Sequence, residues 1–169
     1  MLRNSPASRF AVIFAVLTLG GMGALLIDPV NDNVVVPFTA FLAKLSAMLV
    51  DLVGGAATAS GEQLSLVGRC SVTVANGCNG VEASLLLGAA ILAFPASFKQ
   101  RLIGVVAGIG LLQTINLVRI VSLLYLNCWS PAWFNFFHAY LWDALIMLDG
   151  VVTFIGWCRW QRSLRPAGP

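Results

Sequence analysis

Charge is what this chain has least of: 10% of its 169 residues are Asp, Glu, Lys or Arg, against 59% hydrophobic residues. Soluble globular proteins carry about 25% charged residues, so a water-soluble fold is excluded and an integral membrane protein is expected. Histidine occurs once, at His138, and the four cysteines Cys70, Cys78, Cys128 and Cys158 include no C-x-x-C pair. A single histidine and scattered thiols lack zinc-ligand spacing, so no metal and no other cofactor is expected. Ten Lys/Arg against seven Asp/Glu give a net charge of +3. That excess matters for where it sits along a membrane chain, and it gives no support to nucleic-acid binding. No internal repeat, low-complexity linker or second domain is visible, and residues 1–169 read as a single membrane-embedded domain.

What is present is long apolar runs. Four of them, Phe10 to Ile27, Asn79 to Ala96, Leu102 to Leu126 and Phe136 to Trp157, read as transmembrane helices, since about 20 apolar residues cross a bilayer. A secretory signal peptide is the other reading of the first run, but about 18 apolar residues exceed a usual signal core, so a retained anchor is expected. A fifth run, Val34 to Val53, is interrupted by Pro37, Lys44, Ser46 and Asp51, with Lys44 and Asp51 on one helical face. Arg3 and Arg9 precede the first run, Lys99 and Arg101 separate the second from the third, and Arg159, Arg162 and Arg165 follow the last. Cytoplasmic placement of all seven requires an even number of crossings between the first two groups. The Val34 to Val53 segment is then an amphipathic, interfacial or re-entrant helix on the outer side. Within the outer region, EQLSLVGRCSVTVANG has the alternation of two short strands about a Gly68-Arg69 turn, a small extracytoplasmic β-hairpin. The expected fold is all-α: four transmembrane helices, one amphipathic outer helix and that hairpin, in the bacterial inner membrane with both chain ends cytoplasmic.

Residues 76–80, NGCNG, frame one thiol with two Asn/Gly pairs at the outer start of the second span. Asn79 with Glu82 three residues later has the form of a capping box, which accounts for the turn but not for the cysteine before it. A thiol facing helix N–H groups is expected to have a lowered pKa and raised reactivity. Arg119 lies inside the third span, about 12 Å from its outer end, with Gln113, Asn116 and Ser122 beside it at three-residue steps. An arginine within hydrocarbon marks a functional site unless it pairs structurally, here with Glu82, Asp143 or Asp149. His138 sits near the outer start of the last span. Three spans thus bring a thiol, a guanidinium and an imidazole to one depth, which is a nucleophile, a base and an oxyanion-stabilising group. Asn135 and Asp143 are candidates to orient His138. Gly80, Ser84 and Gly88, and Gly104 with Gly108, form small-residue seams for helix packing within the chain.

Cys78 in CNG, Arg119 in NLVRI and His138 opening the last helix, in that order, resemble the exosortase/archaeosortase family of membrane transpeptidases over about residues 76–145. The short chain and the NGCNG context are most similar to the small exosortase H type, although many members have Ser or Thr where this chain has Asn79. The resemblance implies catalytic Cys78, Arg119 and His138, supported by Asn79, Asn116 and Glu82. It also implies a cysteine-type transpeptidase or endopeptidase that removes the C-terminal sorting tail of exported proteins through a Cys78 thioester. Such a tail carries a short motif, a transmembrane helix and a basic end, so the partners would be those proteins and the lipid bilayer. The alternative from another class is a four-helix thiol-disulfide oxidoreductase that uses outer cysteines and a quinone. It leaves Arg119 and His138 without joint work and lacks C-x-x-C.

Overall fold

Proline, serine and glycine punctuate the helices. In the computed structural model, which describes residues 5–163, helix α1 spans Pro6–Leu25, with Ser5 as its N-cap accepting the Ser8 N–H and Pro6 in its first turn. Helix α2 follows after a two-residue break and spans Asp28–Leu52. Its Asn31–Val35 stretch is a π-helix. That widened turn ends just before Pro37, whose ring would otherwise crowd the carbonyl four residues back. Strands β1 (Ala57–Ser60), β2 (Gln63–Leu66) and β3 (Cys70–Thr73) form an antiparallel sheet in the order β1-β2-β3. Helix α3 (Val81–Ala93) stops just before Phe94-Pro95, where the residue preceding a proline is driven out of the helical region. Helix α4 (Phe98–Trp129) opens on a Ser97/Gln100 capping box. Ser130 breaks it in an extended conformation, and Pro131 begins α5 (Pro131–Ser163). A second π-helix, Phe137–Trp142, lies inside α5.

Two apolar cores lie along α4. Its first half packs with α3 and α5, and α1 packs on α3, in a bundle centred on Ala83, Leu87, Ile91, Leu112, Ile146 and Trp157. Its second half packs with α2 and the sheet around Leu42, Ala43, Val50, Leu64, Leu66, Ile120 and Leu124. Alternation along β2 turns Leu64 and Leu66 inward and leaves Gln63 exposed. Lys44 and Asp51 both lie on the exposed face of α2, and the Asp51 carboxylate accepts the Ala57 N–H at 2.8 Å. The bundle's far end carries the basic residues. Arg9 and Arg101 line one cavity, and Trp157, just before Arg159 and Arg162, donates to the Gln100 carbonyl. Arg3 and Arg165 lie outside the described residues.

Three expectations change. Four helices among the described residues are long and apolar enough to cross a membrane, but they are α1, α2, α4 and α5. α3 has only 13 residues, about 20 Å at 1.5 Å per residue, because Gly80 and Pro95 bound it. α2 is unbroken by Pro37, although it packs on the sheet and the second half of α4 rather than among the bundle helices. The hairpin has a third strand. Gly68, with φ +71°, makes the expected turn, and β1 adds to β2 through a Gly61-Glu62 turn with Ser60 opposite Gln63.

The small-residue seams pack the chain's own helices at Gly104 and Gly108. A Cβ on Gly104 would collide with the Trp157 indole, itself buried against Phe94 and Phe154, whereas a Cβ on Gly110 would meet nothing within 4 Å. Gly104→Ala is expected to destabilise the bundle by about 1–3 kcal/mol, the usual cost of overpacking. Gly110→Ala should be neutral or stabilising by up to about 1 kcal/mol through helix propensity. Thermal denaturation in detergent, followed by loss of the monodisperse chromatographic peak, checks the pair; equal midpoints would refute the seam.

Candidate active site

The loop between β3 and α3 holds Cys78, and its conformation follows from the residues around the thiol. The Cys78 N–H closes a turn onto the Ala75 carbonyl at 2.9 Å. Gly77 and Gly80 have φ of +83° and +70°, a region that strains side-chain-bearing residues. A Cβ on Gly80 would also stand 3.1–3.3 Å from the Gln113 and Asn116 amides. Asn79 is fully buried. Its Nδ2 donates to Thr39 Oγ1 on α2 at 2.9 Å, and its Oδ1 accepts the Val81 N–H at 3.1 Å. Asn76 donates to Asn31 Oδ1 in the π turn of α2. On the other side, Gln113 Nε2 donates to Ser84 Oγ at 3.0 Å and to the Gly80 carbonyl at 3.3 Å. Asn116 Nδ2 donates to Gln113 Oε1. The loop is thus tied to both α2 and α4 by amide side chains.

The thiol faces a small cavity of about 40 Å³ whose lining includes Cys78, His138, Ile120, Leu123 and Phe134. His138 lies in the π turn of α5 and stacks on Phe134, with ring centroids 5.5 Å apart. Its Nδ1 is buried with no hydrogen-bond partner among the described residues. On the other side of the loop, Gly77, Gly80, Glu82, Arg119 and Asp143 line a second cavity of about 340 Å³. Arg119 is 0% exposed, and its Nη2 donates to Asp143 Oδ1 at 2.7 Å, while Asp143 is 57% exposed. Nε and Nη1 of Arg119 and Oδ1 of Asn116 are buried without partners among the described residues. This second cavity shares Ala83, Ile146 and Met147 with an apolar groove of about 270 Å³ between α1, α3 and α5.

Cys78, Asn79, Glu82, Asn116, Arg119 and His138 therefore gather around one loop, with two corrections to the local chemistry. Asn79 and Glu82 form no capping box. Gly80 is the N-cap of α3 in a left-handed conformation, because the Asn79 side chain is committed to Thr39 and Val81. The thiol pKa is raised rather than lowered: burial, which leaves Cys78 7% exposed, dominates; Arg119 pulls it back down, and Asp143 pushes it further up. Asp143 pairs with Arg119, not with His138, which selects one of three carboxylates that the sequence left open. Thr39 went unnoticed, yet a polar residue on the helical face of Leu42, Ala43 and Ser46 was the available signal. Cys70 and Cys128 form a disulfide, and Cys78 is a free thiol.

A family model described as transmembrane exosortase, of the EpsH type, matches residues 2–157. This chain belongs to the transmembrane exosortase family. No curated protein and no solved structure matches it. The match extends well beyond residues 76–145, where the short motifs lie. At the level of the family, the chain is a multi-pass membrane transpeptidase of the cysteine class that processes exported proteins.

Because burial governs the thiol, Cys78 is expected to be protonated at neutral pH and to alkylate faster as pH rises, with a midpoint above the ordinary value of about 8.5. Arg119→Gln should move that midpoint up and Asp143→Asn should move it down, since each removes one of the opposing charges. Timed iodoacetamide reaction with intact-mass readout measures the midpoints. A wild-type midpoint at or below the ordinary value would contradict control by burial.

Proposed function

We propose that this exosortase cleaves the C-terminal sorting tail of exported proteins at the outer face of the bacterial inner membrane, by way of a Cys78 thioester. The observation that carries this reading is a free thiol and an imidazole nitrogen without a partner on one cavity, beside a buried guanidinium with two unused donors. The Cys78 proton passes to His138 as Sγ adds to the scissile carbonyl. The C–N bond then breaks, and the leaving amine takes the proton from His138. An acceptor amine or water releases the acyl group and restores the thiol. A protonated resting thiol makes the base necessary. Arg119, held by Asp143 through Nη2, offers Nε and Nη1 to the oxyanion, with Asn79 and Asn116 fixing the loop and its neighbouring face.

The apolar groove that runs into the Arg119 cavity suits one transmembrane helix whose recognition motif emerges beside Cys78. The basic residues at the opposite end of the bundle support a cytoplasmic location for that end, and the Cys70–Cys128 disulfide suits an oxidising location for the other. The redox alternative has less support, since Cys78 is a free thiol whose pKa is raised by burial, which disfavours the thiolate that disulfide exchange requires. Residues 1–169 act as one membrane-embedded domain in this reading.

Co-expression with candidate tail-bearing proteins, followed by intact-mass measurement of the products, tests the proposal. Cys78→Ala should abolish tail removal and Cys70→Ala should retain it at matched protein level. His138→Ala should slow cleavage by about 10²–10⁴-fold. Arg119→Lys, which loses the planar fork of donors, should slow it by about 10²–10³-fold. Normal processing by Cys78→Ala ends the proposal.

A further inference from the structure

At the end of the bundle farthest from Cys78, α1, the end of α3 and the start of α4 enclose a cavity of about 320 Å³. Its lining divides by chemistry. Arg9 and Arg101 supply two guanidinium groups, Phe10, Ile13, Ala93 and Pro95 supply an apolar wall, and no carboxylate among the described residues lines it. Arg101 Nε is buried and has no hydrogen-bond partner among the described residues. A buried donor of that kind is destabilising unless something accepts from it. Lys99 lies two residues before Arg101, and Arg159 and Arg162 follow Trp157, whose indole donates to the carbonyl of Gln100, between Lys99 and Arg101. The local field is therefore positive.

We infer that the Arg9–Arg101 cavity binds the phosphate of an anionic phospholipid, with the acyl chain laid against Phe10 and Ile13. Guanidinium groups match phosphate oxygens through paired, charge-assisted N–H donors, and basic recesses between membrane helices on the cytoplasmic side favour anionic headgroups. The apolar wall is what distinguishes a lipid from a free anion: inorganic phosphate would leave Phe10 and Ile13 unused. The site stands apart from the thiol chemistry, so neither depends on the other.

Native mass spectrometry of the full chain, after equilibration with mixed phosphatidylglycerol and phosphatidylcholine in neutral detergent, tests the assignment. The wild-type protein and Arg69→Gln, a variant of an exposed turn residue remote from the cavity, should retain phosphatidylglycerol in preference to phosphatidylcholine. Arg9→Gln/Arg101→Gln should lose that preference. Arg101→Lys keeps the charge but replaces the buried Nε–H, and should weaken retention about tenfold, equivalent to about 1.4 kcal/mol; it also serves if the double variant does not fold. A parallel thermal-shift titration uses inorganic phosphate alone. No stabilisation by phosphate, together with retained phosphatidylglycerol, assigns the site to lipid. Stabilisation by phosphate without lipid retention assigns it to a free anion and overturns the lipid assignment. Equal phosphatidylglycerol retention by the wild type and Arg101→Lys overturns the site.

Discussion

The ion pair between Arg119 and Asp143 is the constraint on which the site end of the molecule depends. A guanidinium with no solvent exposure is tolerable only where a counter-charge and hydrogen bonds replace water, and Asp143 supplies one contact at 2.7 Å. Because Asp143 is itself half open to solvent, the pair falls between surface pairs worth about 0–1 kcal/mol and buried pairs whose disruption costs about 3–5 kcal/mol. Its structural effect exceeds its energy. It fixes the start of the last α-helical stretch against the middle of α4, and the π turn immediately before Asp143 carries His138. One contact thereby sets both the guanidinium and the depth of the imidazole, while Nε and Nη1 have no partner among the described residues.

The position of that pair along α4 gives the site its relation to the bilayer. Arg119 lies 21 residues beyond Phe98, where α4 begins, which is about 32 Å at 1.5 Å per residue. A hydrocarbon core is about 30 Å thick. If the basic end of the bundle marks one boundary, Arg119 stands at the other, where a buried cation is far less costly than at mid-bilayer. The remaining turns of α4 carry α2 and the sheet, closed by the Cys70–Cys128 disulfide across 58 residues of chain. The Cys78 loop lies between the two apolar cores, tied to α2 on one side and to α4 on the other.

Much of this was legible in the sequence because membrane insertion leaves a strong signal: long apolar runs, basic flanks, and polar residues that stand out against them. Cys78, Arg119 and His138 could be picked out for that reason. Features decided by tertiary contact were not legible. β1, with the sequence ATAS, has little of its own to announce a strand and forms by pairing with QLSL. The brevity of α3 follows from Pro95 and from Gly80's left-handed turn, which an apolar count from 79 to 96 passes over. The choice of Asp143 over Glu82 and Asp149 as the partner of Arg119 depends on how α5 lies against α4, and spacing along one helix cannot reveal it. The thiol's environment is hidden for a related cause: proximity to a helix start is visible in sequence, whereas burial beside Ile120, Leu123 and Phe134 is not.

That burial accounts for an otherwise awkward pairing, a disulfide and a free thiol at the same end of one small protein. Thiolate, not thiol, is the species that exchanges with disulfides and meets oxidants. Burial raises the Cys78 pKa and so disfavours its thiolate beside a cavity of about 40 Å³, while Cys70 and Cys128 are bonded to one another. The two asparagines of NGCNG are what maintain this state. Asn79 anchors the loop to Thr39 on α2, Asn76 anchors it to Asn31, and Gly80 lets α4 approach closely enough for Gln113 and Asn116 to seal the other side. Had the loop been free to move, the thiol would reach water and the helix N–H groups that favour its ionised form. Rigid framing by turn-prone residues is therefore what holds the Cys78 side chain in its buried setting.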